Sequence, residues 1–72
     1  MDKPRTKKET VQLMLVNNQN KLIEAEIMEK FLHQRYILDA NRANQLALAG
    51  AQGQIKDLTA AIKFLDGYLK EL

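Results

Sequence analysis

Apolar residues recur along the second half of the chain at alternating intervals of three and four. Leu48, Ala51, Ile55, Leu58, Ile62, Leu65, Leu69 and Leu72 follow this rule over more than three heptads. That spacing keeps side chains on one side of an α-helix and predicts a packed seam. Apolar positions there spread over a wide sector of about 200° at 100° per residue. The sector takes in a flanking stripe of Leu46, Ala61, Phe64 and Tyr68, while Gln45, Gln52, Lys56, Lys63 and Lys70 lie opposite. The first half is patterned differently. Val11, Leu15, Leu22, Ala25, Leu32 and Tyr36 form one stripe, and Ile23, Ile27, Phe31 and Leu38 form another nearly opposite. Asn18 continues the first stripe as a polar interruption. Nowhere does an alternating apolar and polar run sit between turn residues, so strands are not expected.

These patterns predict an all-α chain: a two-helix antiparallel hairpin that assembles further into a helical bundle or coiled coil. Thr6 and Glu9 fit the S/T-x-x-E capping box, in which each side chain satisfies the other residue's backbone N–H. Residues 1–6 are then a basic N-terminal tail, helix 1 covers about 7–39, the turn about 39–44 and helix 2 about 44–72. Each arm is about 31 residues, or roughly 46 Å at 1.5 Å per residue. Asp39-Ala40-Asn41-Arg42-Ala43-Asn44 holds three turn- and cap-favouring residues, with Asp39 or Asn41 as the cap of the second helix. A competing turn is Gly50-Ala51-Gln52-Gly53, where glycine supplies a left-handed cap. It would interrupt the Leu48–Ala51–Ile55 seam. One unbroken helix is a third possibility, and Asn17-Asn18-Gln19-Asn20 is a site for a kink. Small residues at Ala43, Ala47, Ala49, Gly50, Ala51 and Gly53 would permit close backbone approach near the turn, or simply make a loosely packed helix start. Two i,i+4 pairs, Glu26–Lys30 and Asp66–Lys70, support the helices.

Composition narrows the chemistry. With 72 residues, 46% hydrophobic and 28% charged, the chain supports one small domain. It has no cysteine and no serine, so disulfides, thiolate metal sites and the usual nucleophiles are excluded. Only Thr6, Thr10 and Thr59 carry aliphatic hydroxyls, none beside a histidine in sequence, which argues against nucleophilic catalysis. His33 is the sole histidine, four residues after Glu29; Glu24, Glu26 and Glu29 are the nearest approach to a carboxylate cluster. Di-metal bundles use Glu-x-x-His on facing helices, a spacing this chain lacks. A solvated helix face accounts for these residues. Gly50-Ala51-Gln52-Gly53 lacks the lysine and preceding strand of a phosphate loop. The reading is therefore not an enzyme, with no catalytic, cofactor-binding or metal site and no cofactor. Net charge is +2, and the segment through Lys8 carries +3 of it, leaving −1 for the rest. Lys3, Arg5, Lys7 and Lys8 are the candidate phosphate contacts if nucleic acid is a partner; a solubilising tail is the simpler explanation of them.

A two-helix hairpin covers one face of each helix, so the second stripe of helix 1 would stay in water, and exposed apolar patches of that size mark association surfaces. The expected core and interface residues are Leu15, Leu22, Ile27, Phe31, Leu32, Leu48, Ile55, Leu58, Ile62, Leu65, Tyr68 and Leu69. The expected partner is a second copy, in a dimer or higher oligomer, or a larger protein. The longest apolar run, Ala47–Ala51, is too short for a bilayer, and Met1 to Lys8 show no secretory signal. A membrane partner is thus not expected, and the location expected is the cytoplasm, of a host cell if phage-encoded, or a virion.

Ala51-Gln52-Gly53-Gln54-Ile55-Lys56-Asp57-Leu58, followed by Ile62 and Leu65, resembles a recurring ending in small helical proteins of tailed bacteriophages. Those endings read Leu-Gln/Arg-Gly-Arg-Ile before spaced leucines, in proteins commonly encoded among head and packaging genes. The resemblance covers about 20 residues. Ala51 stands in the leucine place and Gln54 in the arginine place. It implies a non-enzymatic virion-associated or accessory protein and carries over no site residues. Beside this structural reading stand two others: a small inhibitor or regulator of anti-defence type that docks on a larger protein, and a nucleic-acid-binding factor using the basic tail.

Overall fold

The structure, a computed structural model, describes residues 3–72; Met1 and Asp2, the first residues of the expected tail, lie outside the described residues. Two helices, α1 (Lys7–Leu38) and α2 (Arg42–Glu71), pack antiparallel into a hairpin of 54 × 27 × 15 Å. The long axis is set by helix length, since 30 residues at 1.5 Å give about 45 Å.

α1 starts where its capping signal lies. Thr6 has extended backbone, and its Oγ1 accepts from the Glu9 N–H at 3.1 Å. The second arm of the expected capping box is not formed among the described residues: no bond joins the Glu9 side chain to the Thr6 N–H. Instead the Thr6 carbonyl accepts from both the N–H and the Oγ1 of Thr10. The helix runs through Asn17–Asn20 without a break, and the Asn18 Nδ2 donates to the Met14 carbonyl at 2.7 Å. That bond turns the amide back along its own helix, which absorbs its polarity without ending the ladder.

The connection is only Asp39-Ala40-Asn41, and α2 begins at Arg42, two residues before the expected start. Asn41 is the cap: its Oδ1 accepts from the Asn44 N–H at 2.7 Å. Asp39 closes α1, donating its N–H to the Arg35 carbonyl at 2.9 Å. Asn44 then ties the two ends together, its Nδ2 donating to the Asp39 carbonyl at 2.8 Å and to the Arg35 carbonyl at 3.4 Å. Both cap residues sit in extended backbone, and no residue has positive φ among those described. The turn therefore needs no glycine, which is why Asp-Ala-Asn suffices. The competing turn at Gly50–Gly53 is not used, and neither is the single unbroken helix: both glycines lie inside α2. Of the small residues near the turn only Ala51 is buried, so they do not form a close-packed end of the hairpin.

Inward positions obey one rule in both helices. Along α1 the residues withdrawn from solvent are Val11, Leu15, Asn18, Leu22, Ala25, Glu29, Leu32 and Tyr36. Along α2 they are Asn44, Leu48, Ala51, Ile55, Leu58, Ile62, Leu65 and Leu69, with Ala61 and Tyr68 half-buried beside them. Each set steps by four and three. Run antiparallel from the Asp39–Asn41 turn, they come level as Leu32 with Leu48, Glu29 with Ala51, Ala25 with Ile55, Leu22 with Leu58, and Leu15 with Leu65. Ala25, Met28 and Gln54 line one surface depression together, as this register requires. Among the described residues only Val11, Ala25, Leu48, Ala51, Leu58 and Leu65 are buried, and none completely. Two of the six are alanines, so the core is thin.

Candidate association surface

Among the described residues twelve large apolar side chains stay exposed, against four that are buried, Val11, Leu48, Leu58 and Leu65. Most belong to α1. Leu13, Val16, Ile23, Ile27, Ile37 and Leu38 point away from α2, with Ile27 at 67% and Leu38 at 87% of full exposure. Phe31, at 53%, and Met14 and Met28 extend this surface around one flank. The Arg35 guanidinium lies over the Phe31 ring at 5.9 Å, a cation–π contact that shields only part of it.

The two flanks of the hairpin differ in character. One carries Gln12, Gln19, Glu26 and His33 from α1 and Gln45, Gln52, Thr59 and Asp66 from α2, recurring every seven residues. It is wholly polar. The other carries Met14, Lys21, Met28 and Arg35 facing Ala47, Gln54, Ala61 and Tyr68. On that side Phe64 and Tyr68 pack with ring centroids 6.0 Å apart, in a tilted arrangement. Beside them is an open depression of about 440 Å³ lined by Lys63, Phe64, Gly67, Tyr68 and Glu71. The outer side of α2 itself is basic and small, with Lys56, Lys63 and Lys70 beside Gly53, Ala60 and Gly67. Apolar exposure thus concentrates on α1's outer face and one flank.

The residues expected in the core and interface divide between two environments. Leu48, Leu58 and Leu65 are buried between the helices. Leu15, Leu22, Leu32, Ile55, Ile62, Tyr68 and Leu69 are half-buried along the same seam. Ile27 and Phe31 are exposed and contribute nothing to the hairpin core. Within the wide apolar sector of α2, Leu46 and Phe64 likewise face solvent, because a single neighbouring helix covers a narrower arc than the sequence makes apolar. Three polar members of the seam carry no apolar signal: Asn18, Glu29 and Asn44 are all half-buried. Glu29 is level with Ala51, whose methyl leaves room for a longer side chain to pass toward water.

Among the described residues no three metal-ligating side chains come together. His33, Glu24 and Glu26 are exposed, while Glu29 lies at the seam. Lys70 and Asp66 form the one ion pair among the described residues, at 3.5 Å on an exposed face; Glu26 and Lys30 do not approach closely enough. Lys3, Arg5, Lys7 and Lys8 are all exposed, the first two ahead of α1 and the others in its first turn. Among the described residues no helix is long and apolar enough to cross a membrane. Comparison of the chain with protein-family models, with curated proteins and with solved structures gives no match.

Proposed function

We propose that this chain is a non-enzymatic interaction protein that works by self-association through helix faces. One observation carries the reading: α1 is apolar on two opposite faces, and α2 covers only one of them. A hairpin with six buried residues has little to set against a backbone ordering cost of about 1–2 kcal/mol per residue. Covering the second face supplies what the hairpin lacks, and it removes a patch of the kind that marks contact surfaces. The C-terminal resemblance extends the proposal to a virion-associated or accessory component of a tailed bacteriophage, where small helical chains act by the contacts they make.

Sedimentation equilibrium across a range of concentrations, paired with far-ultraviolet circular dichroism, tests this. The expected result is a small oligomer whose helicity falls on dilution as it dissociates. A monomer of full helicity at every concentration would refute self-association and favour docking on a larger protein, as for an inhibitor or regulator. The exposed Lys3, Arg5, Lys7 and Lys8 support a second reading, phosphate contact with nucleic acid. Four such contacts predict that log K falls with log salt at a slope of about −3.6 on duplex DNA. Titration of DNA at two salt concentrations decides it, and the absence of binding at low salt removes that reading.

A further inference from the structure

We infer that the outer face of α1 is a second helix seam, covered by the α1 of a second copy running antiparallel about a two-fold axis level with Ala25. The inference deepens the self-association reading and rests on it. A second copy is singled out by the arrangement of the face. Leu13, Val16, Asn20 and Ile23 step by three and four, and Ile27, Lys30, Gln34 and Ile37 continue the same rhythm. All eight are exposed. An isologous contact requires that if residue i meets residue j, then j meets i. Antiparallel pairing about Ala25 meets that requirement: Ile23 of each copy faces Ile27 of the other, and Leu13 faces Ile37.

Two of the three polar interruptions obey the same symmetry, while Gln34 comes level with Val16. Asn20 lies as far before Ala25 as Lys30 lies beyond it, so each Asn20 amide oxygen comes level with a Lys30 ammonium of the other copy. The contact forms twice per dimer. A parallel pairing would instead set Lys30 on Lys30. Packing α1 onto the outer face of another copy's α2 would bring Lys30 toward the row of Lys56, Lys63 and Lys70. Both alternatives set lysine against lysine, and the antiparallel dimer does not.

Surface area agrees. The chain exposes 5973 Å², whereas a folded monomer of its mass exposes about 4,600 Å². The excess is about 1,400 Å² by that scaling, part of it from the exposed residues ahead of α1, and a standard interface covers about 800 Å² per partner. The outer face of α1 can therefore be covered by one copy, leaving α2 on the outside of a layer ordered α2, α1, α1, α2.

The absence of cysteine makes the test clean. Asn20→Cys and Lys30→Cys chains are prepared separately, then unfolded and refolded either alone or mixed, under mild oxidation. The expected result is a disulfide-linked dimer in the mixture and little in either chain alone. In the antiparallel dimer, identical positions lie about 15 Å apart, and a disulfide needs Cα atoms within about 7 Å. Ile27→Asp is expected to weaken the dimer by about 100-fold or more, because it sets a carboxylate against an apolar partner twice. Phe64→Ser, on α2, is expected to leave it unchanged. Linking of either variant with itself, or no linking in the mixture while the unsubstituted chain is dimeric, would overturn this face and leave self-association standing. An unsubstituted chain that is monomeric overturns both, and open-ended polymers in place of a dimer overturn the two-fold arrangement.

Discussion

Replacing the three glycines of α2 by alanine is expected to stabilise the protein, and by a margin large enough to be decisive. Gly50, Gly53 and Gly67 all lie within α2, none has positive φ, and a Cβ built on each meets nothing within 4 Å. Within the hairpin, then, each substitution carries no steric penalty. It gains the propensity difference between glycine and alanine in a helix interior, about 0.8–1.0 kcal/mol per site. Gly67 lies several turns from the other two, so its contribution adds independently, and Gly50 and Gly53 share no packing partner whose loss would couple them. The triple variant should gain about 2.5 kcal/mol, which for a domain of this size raises Tm by roughly 10–20 °C. Thermal unfolding followed by circular dichroism, at matched chain concentration, reads the effect. Gly53 and Gly67 occupy the outer side of α2, which the proposed dimer leaves in water. If Gly53→Ala or Gly67→Ala lowers Tm, or alters the sedimentation behaviour, a partner's backbone must approach that face closely. In that event α2, not α1, supplies the contact.

Three further outcomes test the account of the hairpin. Asn41→Ala removes the acceptor for the Asn44 N–H and should cost about 1 kcal/mol in chemical denaturation; no loss would mean that the turn is not held by this cap. Glu29→Leu places an apolar side chain on the seam level with Ala51 and should gain about 1 kcal/mol, half the value of a fully buried leucine, so a lower denaturation midpoint would show Glu29 to be held by an interaction that the seam does not reveal. Ile62→Asp puts a carboxylate into the seam at the level of Asn18 and should cost about 3 kcal/mol or more; full helicity and an unchanged oligomer by light scattering would show the seam to be misassigned.

The two helices differ in how legible they were, and the reason is vectorial. In α2 the apolar residues lie to one side, with Lys56, Lys63 and Lys70 opposite, so period and direction can both be read from spacing. In α1 the inner stripe of Val11, Leu15, Leu22 and Leu32 is opposed by Ile23, Ile27 and Leu38, and the two contributions cancel. The period survives and the direction does not. Which face meets α2 is settled only by register against the second helix. The turn was readable as a cluster of Asp39, Asn41 and Asn44, yet the division of labour among them was not. Each residue type caps equally well, and the choice depends on which residue adopts extended backbone. Leu13, Val16 and Ile37 were missed as members of the outer face because Asn20, Lys30 and Gln34 break their run. A search for three-and-four spacing that tolerates polar members would have found them. Glu29 was read as a charged surface residue, since no local rule foretells that a carboxylate will sit level with an alanine.

Those polar interruptions answer a difficulty that a helix with two apolar faces creates. Were both faces of α1 uniformly apolar, the helix could turn by half a revolution and present either to α2 at nearly equal free energy, giving a mixture of hairpins. The interruptions stand at different heights on the two faces: Asn18 and Glu29 on the inner one, Asn20, Lys30 and Gln34 on the outer. On the inner face each has an outlet. Asn18 bonds its own helix at Met14, and Glu29 passes the small Ala51. Turned inward, Lys30 would come level with the stretch from Leu48 to Ala51 and Gln34 with Leu46, close to the turn, where Asn44 already binds the Arg35 and Asp39 carbonyls. Burying a lysine beside Leu48 without a partner costs several kcal/mol, more than the thin seam can offset. Polar residues within a seam lower its stability while fixing its register, and here the same residues assign each face of α1 its place. Lys30 is the pivot: excluded from the inner seam by its charge, it is accommodated in the outer one, in the proposed dimer, by Asn20 of the second copy.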